Sequence, residues 1–213
     1  MKRKRKYLPQ KKLTFAIIVD GETEVWYFQM LKRNEKSLTI NIEPKIPQKK
    51  KLSEQFKKVT ELAEDYTKVF WIIDFDTINS ETNATPKGQK TPLQEFNEYT
   101  EKLKKKSNIV IIVNNPCLEF WFLLHFIFST KFFPKCYDAE KELKKYLIDY
   151  EKTRRYFTKD GNDIYLKLKP SLKQAINHSN RYRKFNKSLA NHGISEMHLF
   201  FDTEGIKELF DDL

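Results

Sequence analysis

Val69-Phe70-Trp71-Ile72-Ile73 is a run of large apolar residues that stops abruptly on Asp74-Phe75-Asp76. A short apolar run without polar alternation suits a strand covered on both faces, the kind found in parallel sheets. The pattern recurs on either side. Leu13-Thr14-Phe15-Ala16-Ile17-Ile18-Val19 runs into Asp20-Gly21, and Ile109-Val110-Ile111-Ile112-Val113 runs into Asn114-Asn115-Pro116. An alternating stretch over 38–43 adds one more strand. Between these segments apolar residues fall at helical spacing: Trp26, Tyr27, Met30 and Leu31, then Leu52, Phe56, Val59 and Leu62, then Leu93, Phe96, Tyr99 and Leu103. Strand and helix alternate, which predicts an α/β fold: a mostly parallel four-stranded sheet flanked by helices. In such sheets the carboxyl ends of the strands form the ligand crevice. Asp20, Asp74 and Asn114 all fall at such ends.

Working outward, residues 1–12 carry seven Lys or Arg and read as a basic flexible arm. Residues 13–115 form the α/β core. Residues 116–213 read as a C-terminal helical extension packed on that core, with no flexible linker. Thr23 is the expected N-cap of the first helix, and 77–90 an expected polar loop. Pro116 suits a first helical position with Asn115 as its cap, opening a helix over 118–128. Further helices are expected near 137–149, 170–190 and 203–212.

The 213 residues include 32% charged and 14% aromatic residues with only 5 Gly and 8 Pro, which excludes collagen-like, low-complexity and disordered classes. No stretch approaches the roughly 18 apolar residues of a membrane span; the longest, 118–128, carries Glu119 and His125. The basic start lacks a small-residue cleavage site. Cys117 and Cys136 are too few for a disulfide framework or a zinc cluster. A cytoplasmic protein with reduced thiols and no membrane partner is expected. Lys and Arg number 40 against 29 Asp and Glu, a formal charge of +11. That excess favours polyanionic partners, nucleic acid first.

The carboxylates carry the chemical signal. Asp20, Glu22, Glu24, Asp74 and Asp76 cluster at the ends of two predicted buried strands. Bringing such charges together is costly unless a cation neutralises them, and oxygen-only ligands select Mg²⁺ or Mn²⁺ over zinc. Asp20, Glu24, Asp74 and Asp76 are therefore the candidate metal ligands and catalytic residues, with Glu22 in reserve. Asp74 and Asp76 face the same way if the backbone stays extended there. Glu119 is a further catalytic candidate, the alternative being a buried helix-start carboxylate. His125 lies six residues on, about 120° off the face of Glu119, and reads as a core histidine rather than a ligand. Asn114 and Asn115 read as caps.

These residues resemble a known family. Val19-Asp20-Gly21-Glu22-Thr23-Glu24 with Tyr27-Phe28 is similar to the opening of the Toprim domain in RloB-like proteins, and Ile73-Asp74-Phe75-Asp76 to its Asp-x-Asp motif. Asn115-Pro116-Cys117-Leu118-Glu119-Phe120-Trp121-Phe122-Leu123-Leu124-His125-Phe126 resembles a longer and more specific block. The resemblance implies a Toprim-like fold, Mg²⁺-dependent nuclease chemistry and a role in anti-phage defence or abortive infection, with an ABC-type ATPase as partner. One position departs from the pattern: the glutamate expected before the glycine is Asp20, one methylene shorter.

Basic residues fall in groups, and Lys152, Arg154, Arg155, Arg181, Arg183 and Lys184 are the candidate nucleic-acid-binding set. Tyr156, Tyr182 and Phe185 interleave with them, a pattern suited to phosphate contact plus base stacking. No Gly-x-x-x-x-Gly-Lys-Ser/Thr run is present, so a controlling ATPase would be another chain. The sequence thus points to a metal-dependent nuclease acting on RNA, tRNA included, or DNA. The rival reading is a non-catalytic nucleic-acid-binding or regulatory subunit that docks an ATPase. A homo-oligomer fits either.

Overall fold

A computed structural model describes residues 13–19, 21–43, 50–186 and 190–210. The expected basic arm and Asp20 lie outside the described residues. Four strands are parallel: β1 (Phe15–Ile18), β2 (Ile40–Glu43), β3 (Lys68–Asp74) and β4 (Ile109–Asn115). A fifth, β5 (Ile194–Ser195), pairs antiparallel with the end of β4, giving the order β2-β1-β3-β4-β5. The expected four-stranded sheet is therefore five-stranded. A two-residue strand leaves no periodicity to read, which is why the C-terminal part looked helical throughout.

The continuous apolar runs do serve two faces. Phe70 and Ile72 of β3 join one core with Ile17 of β1 and Phe28 of α1 (Glu22–Asn34). Val69, Trp71 and Ile73 join the other, with Val59 of α2 (Leu52–Asp65) and Phe96 of α4 (Pro92–Leu103). The first core is much the larger, because the C-terminal half packs into it through Trp121, Tyr150, Phe157, Tyr165 and Phe200. Polar ties reinforce that packing: Asn34 donates to Asp163 at 2.9 Å and Tyr165 to Glu35 at 2.6 Å.

Several local expectations are corrected. The expected polar loop over 77–90 is helical in its first part, α3 (Phe75–Ala84), and irregular only after it. Gly21, not Thr23, stands at the N-cap of α1. β4 runs through Asn115, the Asn115–Pro116 peptide is cis, and Cys117 is the N-cap of α5 (Leu118–Leu123), which is shorter than the predicted helix. The later helices are short: α6 (Cys136–Leu143), α7 (Arg154–Phe157), α8 (Ile164–Leu168), α9 (Leu172–Asn180) and α10 (His198–Phe201). Among the described residues no helix is long and apolar enough to cross a membrane.

The strand order fixes where a ligand can sit. From β1 the chain moves outward to β2, then returns to place β3 on the other side of β1. The crossovers thus leave in opposite directions at the carboxyl ends of β1 and β3, opening a crevice there.

Candidate acidic site

That crevice is a cleft of about 480 Å³ whose walls include Gly21, Glu24, Asp74, Asp76, Cys136 and Lys152. Each arrives for a local reason. Glu24 sits in the first turn of α1, where acids are favoured by the helix dipole. Its carboxylate folds back over Gly21 so closely that a Cβ there would lie 2.2 Å from Oε2. A larger residue at this position would displace the Glu24 carboxylate, while the backbone angles themselves do not call for glycine. Thr23 donates to the same Oε2 at 3.3 Å.

Asp74 ends β3 and Asp76 lies in the first turn of α3, while Phe75 between them turns into the second core against Phe96 and Phe185. The backbone does not stay extended as the sequence suggested, yet both carboxyls line the cleft. Asp76 is anchored twice: its N–H donates to the Pro116 carbonyl at 3.1 Å, and its Oδ2 accepts the Cys136 N–H at 2.9 Å. Asp74 has no such support. Its Oδ1 is buried without a hydrogen-bond partner.

The electrostatics follow. Burial, then the charges of Glu24 and Glu119, push the Asp74 carboxyl well above its ordinary pKa. Burial, then Glu119, also raises Glu24. Burial raises Asp76, against the opposing pull of the Cys136 and Thr77 N–H groups. Three carboxyls with raised pKa values in one cleft have the character of a candidate functional site. The donor set is all oxygen, which suits Mg²⁺ or Mn²⁺, and the buried unpartnered Oδ1 of Asp74 gives such an ion a ready ligand. The donor chemistry fits the metal, while among the described residues no three of these carboxylates bring ligand oxygens within 4.8 Å of one another.

Glu119 is fully buried and stands close enough to act on all three acids. Its Oε1 accepts from Tyr150 Oη at 2.9 Å and pairs with Lys152 Nζ at 2.8 Å. Lys152, expected on a nucleic-acid-binding surface, instead turns its ammonium into the acidic site while its stem stays partly exposed. Burial works against that charge, but Glu119, Glu24 and Asp74 outweigh it and raise its pKa.

The other basic candidates are not brought together here. Arg154 and Arg155 are exposed on α7. Arg181 lies over the Phe128 ring at 3.6 Å, while Arg183 and Lys184 are exposed beyond α9. Their interleaved aromatics are engaged: Phe185 on Phe75, Tyr156 on Tyr150, and Tyr182 on Phe128 and the Ser129 carbonyl. The expected stacking platform is largely packing surface.

At the end of β4, Asn115 donates to the Ala190 and His192 carbonyls and Asn114 accepts from Ser195. These asparagines fasten β5, rather than capping a helix or lining the crevice. His125 is buried, its Nδ1 within 3.1 Å of the Trp121 carbonyl, and burial pushes its pKa down to about 3. It is the neutral core histidine the sequence favoured.

Sequence reasoning missed one feature. Cys117 and Cys136, expected as free thiols, are joined in a disulfide. Their separation of 19 residues carried no signal, because the pairing depends on α5 and α6 packing side by side.

A model of the family described as RloB-like protein matches residues 15–203. No curated protein and no solved structure matches the chain.

Proposed function

The chain belongs to the RloB-like protein family, and from that premise we propose that it is a metal-dependent phosphodiesterase, a nuclease of Toprim type. Glu24, Asp74 and Asp76 would hold Mg²⁺ or Mn²⁺, with Asp20 added on the strength of the sequence motif. A bound divalent ion supplies Lewis-acid polarisation of a phosphate and a more acidic water. The chain's own residues do the rest. Glu24 and Asp74 share a hydrogen bond, and burial together with their mutual charge disfavours the charged form of Asp74. Cys136 N–H and Pro116 carbonyl hold Asp76 at a fixed angle. Lys152 Nζ, on a flexible stem at the rim, is the group available to bind a phosphate oxygen. The excess of 11 positive charges over the whole chain favours a polyanionic substrate. The defence role, and an ATPase partner that restrains the nuclease, rest on the family resemblance alone.

The observation that carries this reading is the buried, unpartnered Asp74 Oδ1 among raised carboxyls. Purified protein incubated with Mn²⁺ and tRNA, single-stranded RNA or plasmid DNA is expected to cleave one of them. Mn²⁺ binding by calorimetry should disappear in both Asp74→Ala and Asp76→Ala. Unchanged affinity in both variants overturns the metal assignment. For Asp20, the Asp20→Glu variant is expected to keep or raise activity, and full activity of Asp20→Asn would remove it from the site. A second reading has one observation in its favour. Lys152 already supplies a cation to the acids, so a non-catalytic subunit could keep the cleft without metal. No cleavage, alone or with a partner ATPase, would favour it.

A further inference from the structure

The Cys117–Cys136 disulfide sits at the one place where its state bears on the acidic cleft. Cys117 directly follows Pro116, whose carbonyl accepts the Asp76 N–H. Cys136 supplies the N–H bound to Asp76 Oδ2. The disulfide therefore staples together the two segments that anchor Asp76. The cysteines are not equivalent. Cys117 is buried, whereas Cys136 is half-exposed and lines the cleft. Its Sγ lies 2.9 Å from Glu119 Oε2 and 3.6 Å from Lys152 Nζ. While bonded to Cys117 that sulfur has no proton to donate to Glu119.

We propose that this pair is a thiol–disulfide site that sets the geometry of the acidic cleft, reduced by dithiols that reach it through the cleft. A dithiol's thiolate attacks Cys136 Sγ, the accessible sulfur, and the Cys117 sulfur leaves and takes up a proton. The dithiol's second thiolate then resolves the mixed disulfide, releasing Cys136 as a thiol and the reductant as its own disulfide. Two electrons pass from the dithiol to the cysteines. Once free, the Cys136 thiol can donate to Glu119 Oε2, which already lies 2.9 Å away. A thiol is a weak donor, so this contact does not replace the covalent tie to Cys117. Asp76 loses the fixed position of one anchor. The rest of α6 stays packed through the buried Ala139 and Leu143, so the effect is local. Removing a partner that orients a metal-ligating carboxylate weakens metal affinity by about 10–100-fold in characterised sites.

The test uses the whole chain, oxidised in air or reduced with dithiothreitol and desalted without oxygen. Alkylation and mass measurement should find no free thiols in the first form and two in the second; two free thiols in the air-exposed protein overturn the proposal. Amide exchange should accelerate at Asp76 and Cys136 on reduction while Ala139 and Leu143 stay protected. Unchanged exchange at Asp76 and Cys136 overturns it, and this readout is independent of metal. The second readout rests on the metal reading: Mn²⁺ affinity should fall about tenfold or more on reduction. The Cys117→Ala/Cys136→Ala variant should match the reduced form and ignore reductant. Equal affinity in both redox forms rejects the site's control of metal while leaving the metal assignment standing. Absence of Mn²⁺ binding in both forms rejects the metal assignment, and the exchange data then decide the redox site by themselves.

Discussion

Two neighbouring strand ends handle polar groups in opposite ways. β3 and β4 are paired so that Asp74 lies opposite Asn114. Past Asn114, the chain is sealed. Asn115 gives both amide hydrogens to carbonyls, Ser195 donates to Asn114, and Glu196 accepts the Val113 and Phe185 N–H groups. At the end of β3 the chain is open. Asp74 has a buried oxygen with no partner, in a cleft with two other carboxyls held above their ordinary pKa values. Both ends bury polar atoms, and those at the end of β4 mostly tie the chain together, although Asn114 Nδ2 is left without a partner. Buried polar groups left under-satisfied are destabilising by about 1–3 kcal/mol each. Two such atoms, Asp74 Oδ1 and Asn114 Nδ2, belong to residues paired at the ends of β3 and β4, and of the two residues only Asp74 lines the cleft.

The comparison breaks most readily at Asp74. Asp74→Ala is expected to remove Mn²⁺ binding entirely, a loss of at least about 100-fold on the scale of a lost ligand. The isosteric Asp74→Asn should also lose metal while raising the melting temperature by about 2–4 °C, as about 1 kcal/mol of stabilisation does in a chain of this size. Calorimetry and thermal melts on the same samples check both. A lowered melting temperature in Asp74→Asn would place Asp74 with the structural residues of β4.

The next effect is pH dependence. Asp74 has a folded pKa raised above its unfolded value. Between the two values the folded state binds more protons than the unfolded state, so this group's contribution to stability falls as pH rises through that window. Metal competes with the same proton. Mn²⁺ affinity should rise about tenfold per pH unit until Asp74 is deprotonated. Calorimetry over a pH series should show that slope, and a flat profile would remove proton competition at Asp74 from the account.

Lys152→Met is expected to lower cleavage about tenfold, the cost of one charge-assisted contact of about 1.4 kcal/mol. Mn²⁺ affinity should be held or raised, because a competing cation is gone. Lys152→Arg should restore part of the rate. A variant that loses only thermal stability would make Lys152 a counter-ion to Glu119 and nothing more.

The smallest effect on the site belongs to β4. Asn115→Ala should destabilise by about 1–3 kcal/mol, because two carbonyls lose their donor. Denaturant unfolding measures that loss, and Mn²⁺ affinity should stay within about twofold. A large change in affinity would show that the sealed end communicates with the open one.

Much of this was legible in the sequence because it depends on local pattern. Continuous apolar runs announce strands covered on two faces, and acids placed directly after them announce a polar strand end. That was enough to identify the parallel sheet, its flanking helices and the grouping of Glu24, Asp74 and Asp76. The remainder depends on which segments meet in space. A two-residue β5 has no periodicity, so its pairing with β4 converts Asn114 and Asn115 from apparent caps into fasteners. Lys152 reads as a nucleic-acid contact until the loop before α7 carries it to Glu119. Tyr182 and Phe185 read as stacking groups until Phe120, Phe128 and Phe75 pack against their rings. The cysteine pair becomes visible only when α5 and α6 lie side by side. Local pattern records what a segment buries. Tertiary packing decides which polar groups are left with partners, and the acidic cleft is where Asp74 Oδ1 was left without one.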